Sequence, residues 1–251
     1  MDEKILNKGI SVIITAAGNG RRMGTDLPKQ FLKLNNREII HRTVGKFFEL
    51  SFVKEIIIVV SEEETERCLE ILKDFSSKLK FAKGGNTREE STFNGLNMVD
   101  KGSEIVITHD GVRPFIKKET IIGALSEVRR DEAVVVCVPM KDTIKNAKGD
   151  YISYTPNREE LYNAQTPQIF YKDDLIKGYK KAFKENIKVT DDSSLMEVIG
   201  HKVKIYIGEY DNIKITTKED LIIGEILAKM EDESWELVLD TMFTNLLKEE
   251  I

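Results

Sequence analysis

A short glycine-rich segment with basic residues follows the first apolar run of the chain, at positions 16–30. Gly18 and Gly20 leave backbone N–H groups open to a phosphate, because no Cβ stands in the way. Arg22 and Lys29 could then neutralise a triphosphate, Arg through its planar fork and Lys as a movable point charge. The segment lacks the Gly-Lys-Ser/Thr of a P-loop and the third glycine of the dinucleotide fingerprint. It indicates a triphosphate loop of another type, whereas an isolated Gly-x-Gly is at least as often a plain tight turn.

A second polar segment begins at Gly84 and Gly85 and continues through Asn86 to Ser91. Paired glycines could bring backbone groups against the edge of a base. The alternative is an ordinary strand-to-helix turn, in which Thr87 or Asn86 caps the helix. Taken without the rest of the chain, the segment favours the ordinary turn.

A third polar segment begins at His109. Asp110 is placed to hold Mg²⁺, which takes oxygen ligands, and it follows an apolar run. Arg113 could hold a substrate phosphate, although an Asp–Arg ion pair that only stabilises the turn is the alternative. We expect His109 to be a packed histidine without a catalytic role, and His41 and His201 to be surface or packing residues.

Four further polar groups lie farther along the chain, at Arg158, 165–168, 190–191 and 211–214. Each also has a plain interpretation, as a solvated arginine, a turn, a helix cap or a strand end. Their spacing in the sequence does not join them to the three segments above.

The polar segments are positioned by an alternation of strands and helices. Apolar runs typical of buried strands occur at 10–15, 55–60, 80–82, 104–108, 133–139 and 202–207. Helical patterns occur at 39–50, 62–75, 88–99, 116–130, 172–185, 193–199 and 218–230. This alternation predicts βαβ units and an α/β fold with a mostly parallel sheet. Because ligands bind beyond the carboxyl ends of such strands, the three segments are predicted to share one site.

Residues 141–165 have a different character. Alternating residues at 143–145 and 151–154 flank a turn at Gly149, which predicts a β-hairpin. A two-stranded hairpin is not stable alone, so this arm should lie on something else, such as a second subunit. We interpret residues 1–230 as one domain with this arm. Residues 231–251 are predicted to form a C-terminal helical extension docked on the domain, with a membrane or partner helix as the minor alternative.

Composition excludes several classes of protein. The 251 residues carry a formal net charge of −5, so no broad basic surface for nucleic acid is expected. No apolar run approaches the roughly 20 residues needed to span a bilayer. Cys68 and Cys137 show no metal-ligand spacing, and they indicate unpaired thiols in a reducing compartment. The expected location is the cytoplasm.

Seven short motifs follow one another between about residues 10 and 230: AAGNGRRMG, LPKQF, GGNTREES, HDGVRPF, NAQTPQ, TDDSS and DNIKIT. The ordered set resembles the 2-C-methyl-D-erythritol 4-phosphate cytidylyltransferases of the non-mevalonate isoprenoid pathway. The resemblance implies a Rossmann-like three-layer α/β sandwich that uses CTP as co-substrate and Mg²⁺ as cofactor. It also implies a homodimer in which the subunits exchange the hairpin arm.

The resemblance implies roles for individual residues. The cytosine would be surrounded by Ala16, Ala17, Gly85, Asn86 and Ser91. The triphosphate would be held by Arg22 and Lys29, beside the backbone of Gly18 and Gly20. The sugar phosphate would face Asp110, Gly111, Arg113, Thr166, Thr190 and Lys214, with Asp110 also approaching the metal. Arg158 would reach the partner subunit's site, and the catalytic cations would be Arg22, Lys29 and Lys214.

The acceptor is the point on which close families differ. Asn86 stands where the family usually has Asp, a change that a backbone contact would survive. Val112 resembles the ribitol-5-phosphate cytidylyltransferases, which make CDP-ribitol for teichoic acid. The segments 16–18, 88–91 and 191–193 instead favour the methylerythritol enzyme, which we therefore predict.

The predicted reaction is attack by the phosphate oxygen of the acceptor on the α-phosphorus of CTP, with pyrophosphate leaving. A phosphate monoester is already anionic near neutral pH, so catalysis would consist mainly of positioning and charge stabilisation. The combination of Lys29, Asp110 and Lys214 argues against a non-catalytic nucleotide-binding module. The missing dinucleotide fingerprint argues against an NAD-dependent oxidoreductase.

Overall fold

The computed structural model describes Ile5, residues 8–18 and residues 27–233. Its centre is a seven-stranded sheet in the order β11-β7-β10-β6-β1-β4-β5. These strands are β1 (Ile10–Thr15), β4 (Val53–Val60), β5 (Leu79–Lys83), β6 (Ile105–Asp110), β7 (Glu132–Pro139), β10 (Tyr162–Tyr171) and β11 (Lys202–Ile207). Two small antiparallel pairs lie outside it: β2 (Lys33–Leu34) with β3 (Arg37–Glu38), and β8 (Asn146–Lys148) with β9 (Tyr151–Tyr154). The central strands are almost continuous runs of β-branched residues, as expected where both faces of a sheet are covered.

Helices cover both faces of the sheet. One face carries α1 (Ile39–Phe48), α2 (Thr65–Ile71) and α4 (Lys118–Glu127), with buried side chains in one core cluster. The other face carries α3 (Arg88–Asn97), α5 (Lys172–Glu185) and α6 (Ser194–Val198). The last described helix, α7 (Lys218–Asp232), packs in a third, smaller cluster. The predicted three-layer, mostly parallel α/β fold is confirmed.

The strand order of the sheet reverses between β1 and β6. From β1 it proceeds outwards to β4 and then β5, and afterwards returns to pair β6 with the other side of β1. All four strands are parallel, and Thr15 is the register partner of Asp110. The carboxyl ends of β1 and β6 therefore meet at a topological switch point, where ligands of open α/β sheets bind.

Strand β10 is a part of the sheet that the sequence does not predict. It lies antiparallel between β6 and β7, where residues up to 165 were expected to belong to the arm. Polar residues and Pro167 interrupt its pattern, and a proline normally argues against a central strand because it cannot donate to the ladder. The ladder with β7 shifts register between Ala164 and Gln168, so Pro167 falls where regular pairing is interrupted.

The arm and the ends of the chain also differ in detail from the sequence prediction. The hairpin has Gly149 in its turn at φ +60°, a conformation that favours glycine, but its first strand is 146–148 rather than 143–145. The helix predicted at 62–75 is divided into α2 and two flanking 3₁₀ turns. Residues 234–251 of the predicted C-terminal extension lie outside the described residues. Within the described ranges, no helix combines the length and apolar character needed to cross a bilayer.

Candidate functional site

A cleft of about 500 Å³ opens at the carboxyl ends of β1 and β6. The cleft is lined by Thr15, Ala16, Ala17, Gly18, Lys29, Gln30, Gly85, Asn86, Thr87, Arg88, Ser91, Asp110, Val112 and Lys214. All three polar segments singled out in the sequence contribute to this surface, and Lys214 joins them from a position more than a hundred residues later. The switch point of the sheet is thus also the place where the candidate residues converge.

The segment after β1 forms one wall of the cleft. The N–H of Ala16 donates to the carbonyl of Val59 over 2.7 Å, and Nε2 of Gln30 donates to the carbonyl of Ala16 over 2.6 Å. A Cβ on Gly84 would lie 2.6 Å from the Cβ of Ala17, so glycine permits the two turns to approach. Lys29 begins a 3₁₀ turn and lines the same wall.

Two residues predicted for the phosphate loop, Gly20 and Arg22, lie outside the described residues. Lys29 is the predicted triphosphate cation that the structure places in the cleft.

The turn at 84–91 caps a helix, as the ordinary-turn alternative predicted, and it also borders the cleft. Thr87 caps α3 by accepting a hydrogen bond from the N–H of Glu90. The N–H of Gly85 donates to Oγ of Ser91 over 3.0 Å, and the N–H of Asn86 donates to Oε2 of Glu90 over 2.7 Å. Both of these backbone donors are therefore engaged, so this turn would offer a base its carbonyl oxygens or side chains rather than the N–H groups of Gly85 and Asn86.

Asp110 is a buried carboxylate surrounded by cations. Its Oδ2 accepts from Nζ of Lys214 at 3.0 Å and from Nε of Arg113 at 3.1 Å. Burial alone would raise the pKa of Asp110, but Lys214, Arg113 and Arg88 hold that pKa well below its usual range. The carboxylate is therefore ionised near neutral pH. The ion pair with Arg113, offered above as the plain alternative, is present.

A hydrogen-bonded chain supports Asp110 from behind the cleft. The N–H of Asp110 donates to Oγ1 of Thr166, whose hydroxyl lies 3.0 Å from Nδ1 of His109. The carbonyl of Arg113 lies 3.0 Å from Nε2 and can only accept, so the proton of a neutral His109 lies on Nε2, and Nδ1 then accepts from the hydroxyl of Thr166. Burial lowers the pKa of His109 to about 4. Gly111 continues this support, with its N–H on the carbonyl of Thr15 at 2.9 Å.

Two of the dispersed motifs meet beside this chain of hydrogen bonds. The amide nitrogen of Asn212 donates to Oε1 of Gln165 and to the carbonyl of Thr166, each over 3.0 Å. Nη1 of Arg113 donates to the carbonyl of Asn212 over 2.8 Å. These contacts place Lys214 within reach of Asp110, which sequence spacing alone could not indicate.

Arg88 is a cleft residue to which the sequence interpretation assigned no role. Its guanidinium binds both carboxylate oxygens of Asp192, at 2.9 and 3.1 Å. Burial opposes the charge of Arg88, but Asp192 and Asp110 raise its pKa. The position of Arg88 within the motif at 84–91 could have indicated a role in the site. Its partner Asp192, however, lies 104 residues away, and no local pattern in the sequence connects the two. Thr15, Gln30, Thr87 and Val112 also line the cleft without having been assigned to it.

Five of the described residues predicted for the site do not line the cleft of a single chain. Gly111, Arg113 and Thr166 instead support Asp110 and its turn through the hydrogen bonds described above, whereas Arg158 and Thr190 are exposed. Arg158 is exposed at the base of the arm, where Nη1 donates to the carbonyl of Lys141 over 3.1 Å. Thr190 is exposed in the segment before α6. Its neighbour Asp191 accepts hydrogen bonds from Gln168 and from two serines that follow.

The donors around Asp110 are compatible with Mg²⁺. Among the described lining residues Asp110 is the one carboxylate, and both of its cationic partners contact Oδ2. Mg²⁺ is commonly held by one or two carboxylates together with substrate phosphates and water. A single carboxylate in the lining of the cleft fits that pattern.

Comparison with known proteins gives consistent results. The family model described as IspD, 2-C-methyl-D-erythritol 4-phosphate cytidylyltransferase, matches residues 10–230. A protein of that name from Clostridium botulinum (strain Eklund 17B) is 47% identical over 87% of this chain and 99% of its own length. Another, from Caldanaerobacter subterraneus subsp. tengcongensis, is 43% identical over 88% of this chain and 99% of its own. The crystal structure of 4-diphosphocytidyl-2C-methyl-D-erythritol synthase from Anaerococcus prevotii matches with a TM-score of 0.82 and 38% identity, covering 91% of this chain and all of that one.

Proposed function

The chain belongs to the 2-C-methyl-D-erythritol 4-phosphate cytidylyltransferase family, and we propose that it transfers CMP from CTP to that sugar-alcohol phosphate in isoprenoid precursor synthesis. The observation that carries the proposal is the cleft at the β1–β6 switch point. Lys29, Asp110 and Lys214 arrive there from three separate parts of the sequence. A single cavity therefore combines glycine turns suited to a nucleotide with cations suited to two sets of phosphates.

The nucleotide occupies the side of the cleft between the two glycine turns. Ala16 and Ala17 face the cytosine from one turn, and Gly85, Asn86 and Ser91 face it from the other. The triphosphate lies along the backbone of the first turn, near Lys29. Gly20 and Arg22, which lie outside the described residues, are proposed to act on the triphosphate together with the backbone of Gly18.

The acceptor occupies the side next to β6. Its phosphate approaches Lys214 and Arg113, with Asp110, Gly111, Thr166 and Thr190 at the edge of the same region. A phosphate oxygen forms a new bond to the α-phosphorus of CTP, while the bond between the α-phosphorus and the bridging oxygen breaks. Pyrophosphate leaves with the bonding electrons. Lys29 and Arg22 stabilise the negative charge that grows on these oxygens, and no general base is required.

Asp110 is the residue that would hold Mg²⁺, together with the phosphates of CTP. When bound, the ion supplies positive charge to the phosphate oxygens, as in other phosphoryl-type transfers. Lys214 and Arg113 contribute separately, because they keep Asp110 ionised and oriented towards the cleft.

The functional unit is proposed to be a homodimer formed by exchange of the hairpin arm. Tyr151, Ile152 and Tyr154 leave 82%, 62% and 58% of their surfaces exposed in the single chain. Apolar side chains of this size on an isolated two-stranded hairpin call for a covering surface. Arg158 at the base of the arm would enter the partner subunit's site.

A cytoplasmic location fits the cysteines of the chain. Cys68 and Cys137 are both buried and unpaired, and burial raises the pKa of their thiols to about 12 and about 11. Neither is a reactive thiolate, so both are simple packing residues suited to a reducing compartment.

Pyrophosphate release tests the proposal. The purified chain should release pyrophosphate from CTP and Mg²⁺ when 2-C-methyl-D-erythritol 4-phosphate is added. Ribitol 5-phosphate is tested as the competing acceptor. If kcat/KM is higher with ribitol 5-phosphate than with 2-C-methyl-D-erythritol 4-phosphate, ribitol 5-phosphate is the acceptor instead. No pyrophosphate with either acceptor would reject the cytidylyltransferase proposal for this chain.

A further inference from the structure

Three polar side chains meet at the amino ends of β7 and β11, on the edge of the sheet opposite the cleft. Asp131 and His201 immediately precede Glu132 and Lys202, which are register partners in these two strands. Asp174 approaches them from the first turn of α5. One oxygen or nitrogen atom from each of the three side chains lies within 4.8 Å of the other two.

Two atoms of this cluster are buried and have no hydrogen-bond partner among the described residues. They are Oδ2 of Asp174 and Nδ1 of His201, which lie 4.0 Å apart. Their separation is too long for a hydrogen bond. Oδ1 of Asp174 lies 3.1 Å from Nζ of Lys177, and Asp174 as a whole is only 4% exposed. Buried polar atoms without partners are uncommon in folded proteins, so this pair requires an explanation.

An ion between the two atoms would provide that partner. A Zn²⁺ at about 2.0–2.1 Å from each atom would bridge the present 4.0 Å gap almost linearly. Tetrahedral ligation therefore requires the two side chains to approach each other to about 3.3–3.4 Å when the ion binds. Asp131 is on the other side of the imidazole, with Oδ1 at 3.5 Å from Nε2. Its side chain is 76% exposed, and ligation requires this carboxylate to turn so that one of its oxygens reaches the ion.

We propose that Asp131, Asp174 and His201 bind one divalent transition-metal ion of the Zn²⁺ class, with water as the fourth ligand. An imidazole ligand favours Zn²⁺ over Mg²⁺ and Ca²⁺, which take oxygen ligands. Two carboxylates balance the charge of the ion. The site is independent of the cleft, and it links the beginnings of β7, α5 and β11.

The test is a Zn²⁺ titration of the metal-stripped full chain by calorimetry, accompanied by thermal unfolding with Zn²⁺ and with EDTA. The wild type should bind one Zn²⁺. The variants His201→Ala and Asp174→Asn should bind it at least about tenfold more weakly, because the loss of even an outer-shell partner lowers metal affinity about 10–100-fold. Zn²⁺ should raise the unfolding temperature of the wild type more than that of either variant, because the ligands meet only in the folded chain.

His41→Ala is the matched control. His41 is similarly exposed, at 20% against 17% for the His201 side chain, and its Nδ1 is likewise buried without a partner among the described residues. The difference is that, within the described part of the chain, His41 does not belong to a cluster of three possible metal ligands. Its replacement should leave the tight Zn²⁺ site intact. Asp131→Asn guards against misfolding, because the exposed side chain can change without loss of packing and Asn accepts the φ of +60° found there.

Equal Zn²⁺ affinity in the wild type, His201→Ala and Asp131→Asn would overturn the proposal. Loss of binding in His41→Ala, or tighter binding of Mg²⁺ than of Zn²⁺, would overturn it as well. Neither readout depends on CMP transfer, so the result is separate from the function proposed for the cleft.

Discussion

Arg88 and Asp192 form a two-pronged ion pair across 104 positions of sequence, with nitrogen–oxygen distances of 2.9 and 3.1 Å. Asp192 is 1% exposed and also accepts a 2.6 Å hydrogen bond from the hydroxyl of Tyr179. The pair therefore ties the first turn of α3, which lines the cleft, to α5 and to the segment before α6. The contacts of Asp192 with Arg88 and Tyr179 therefore hold the α3 wall of the candidate nucleotide site in place from outside the cleft.

Replacing Asp192 should destabilise the fold. Asp192→Asn removes the carboxylate that pairs directly with the partly buried Arg88 and leaves only the electrostatic contribution of Asp110. We therefore expect the free energy of unfolding to fall by about 3 kcal/mol, the lower end of the range for broken buried pairs. Tyr179→Phe removes one hydrogen bond to the same carboxylate and should cost about 1 kcal/mol. Urea unfolding measures the free energy of unfolding of both variants. Equal decreases in the two variants would mean that the ion pair stabilises the fold no more than the single hydrogen bond does.

Lys29 should affect turnover rather than folding. Lys29→Ala is expected to lower kcat by on the order of 10²–10³, the effect of removing one transition-state donor. Lys33→Ala is the control, because Lys33 is 60% exposed, pairs with Glu38 at 3.4 Å and lies outside the cleft lining. The check is steady-state pyrophosphate release by both variants. Near-normal turnover of Lys29→Ala would remove Lys29 from the mechanism.

Lys214 should act mainly on the acceptor. Lys214→Ala removes a charge-assisted contact of the kind that contributes about 1.5–3 kcal/mol, so the KM for the sugar phosphate should rise roughly 10–100-fold. Lys117→Ala serves for comparison, because Lys117 pairs with Asp211 at 3.5 Å and lies outside the cleft lining. Initial rates are measured with each substrate varied in turn. A change confined to the KM for CTP would contradict separate pockets for the two phosphates.

His109 should make stability depend on pH. Burial places its folded pKa at about 4, below the ordinary 6.5, so the unfolded chain binds more protons between these values. The free energy of unfolding should therefore decrease as pH falls from 6.5 towards 4, by about 3 kcal/mol from this group. Urea unfolding in EDTA at several pH values, for the wild type and His109→Gln, tests this. The variant should have a shallower slope in that window, and identical slopes would contradict the assignment.

The arm proposal can be tested by mixing two inactive variants. If Arg158 serves the partner subunit's site, a mixed dimer of Arg158→Ala and Lys29→Ala contains one site with both residues intact. Refolding the two variants together in equal amounts should restore about one quarter of wild-type activity, because half of the twofold-symmetric pairs are mixed. Light scattering checks that the protein is dimeric. No recovery in mixed dimers would place Arg158 in its own subunit's site or outside the mechanism.

The sequence by itself determined the parts of this protein that depend on neighbouring residues. Short runs of β-branched residues favour buried strands, and their alternation with amphipathic helices favours a mostly parallel sheet with covered faces. Polar segments placed directly after such strands necessarily arrive at one edge of the sheet. For that reason the order of residues along the chain is enough to group the turns at Ala16, Gly85 and Asp110.

Only the tertiary structure decided what depends on distant pairing. Strand β10 enters the sheet despite Pro167, because a central place between β6 and β7 outweighs its weak local pattern. The cations Arg113 and Lys214 both bind Oδ2 of Asp110, whereas the sequence presents an acid and two bases that could each have faced a ligand alone. Arg88 finds Asp192 only when two helices pack on the same face of the sheet. Such contacts follow from packing in three dimensions, and no spacing along the chain encodes them.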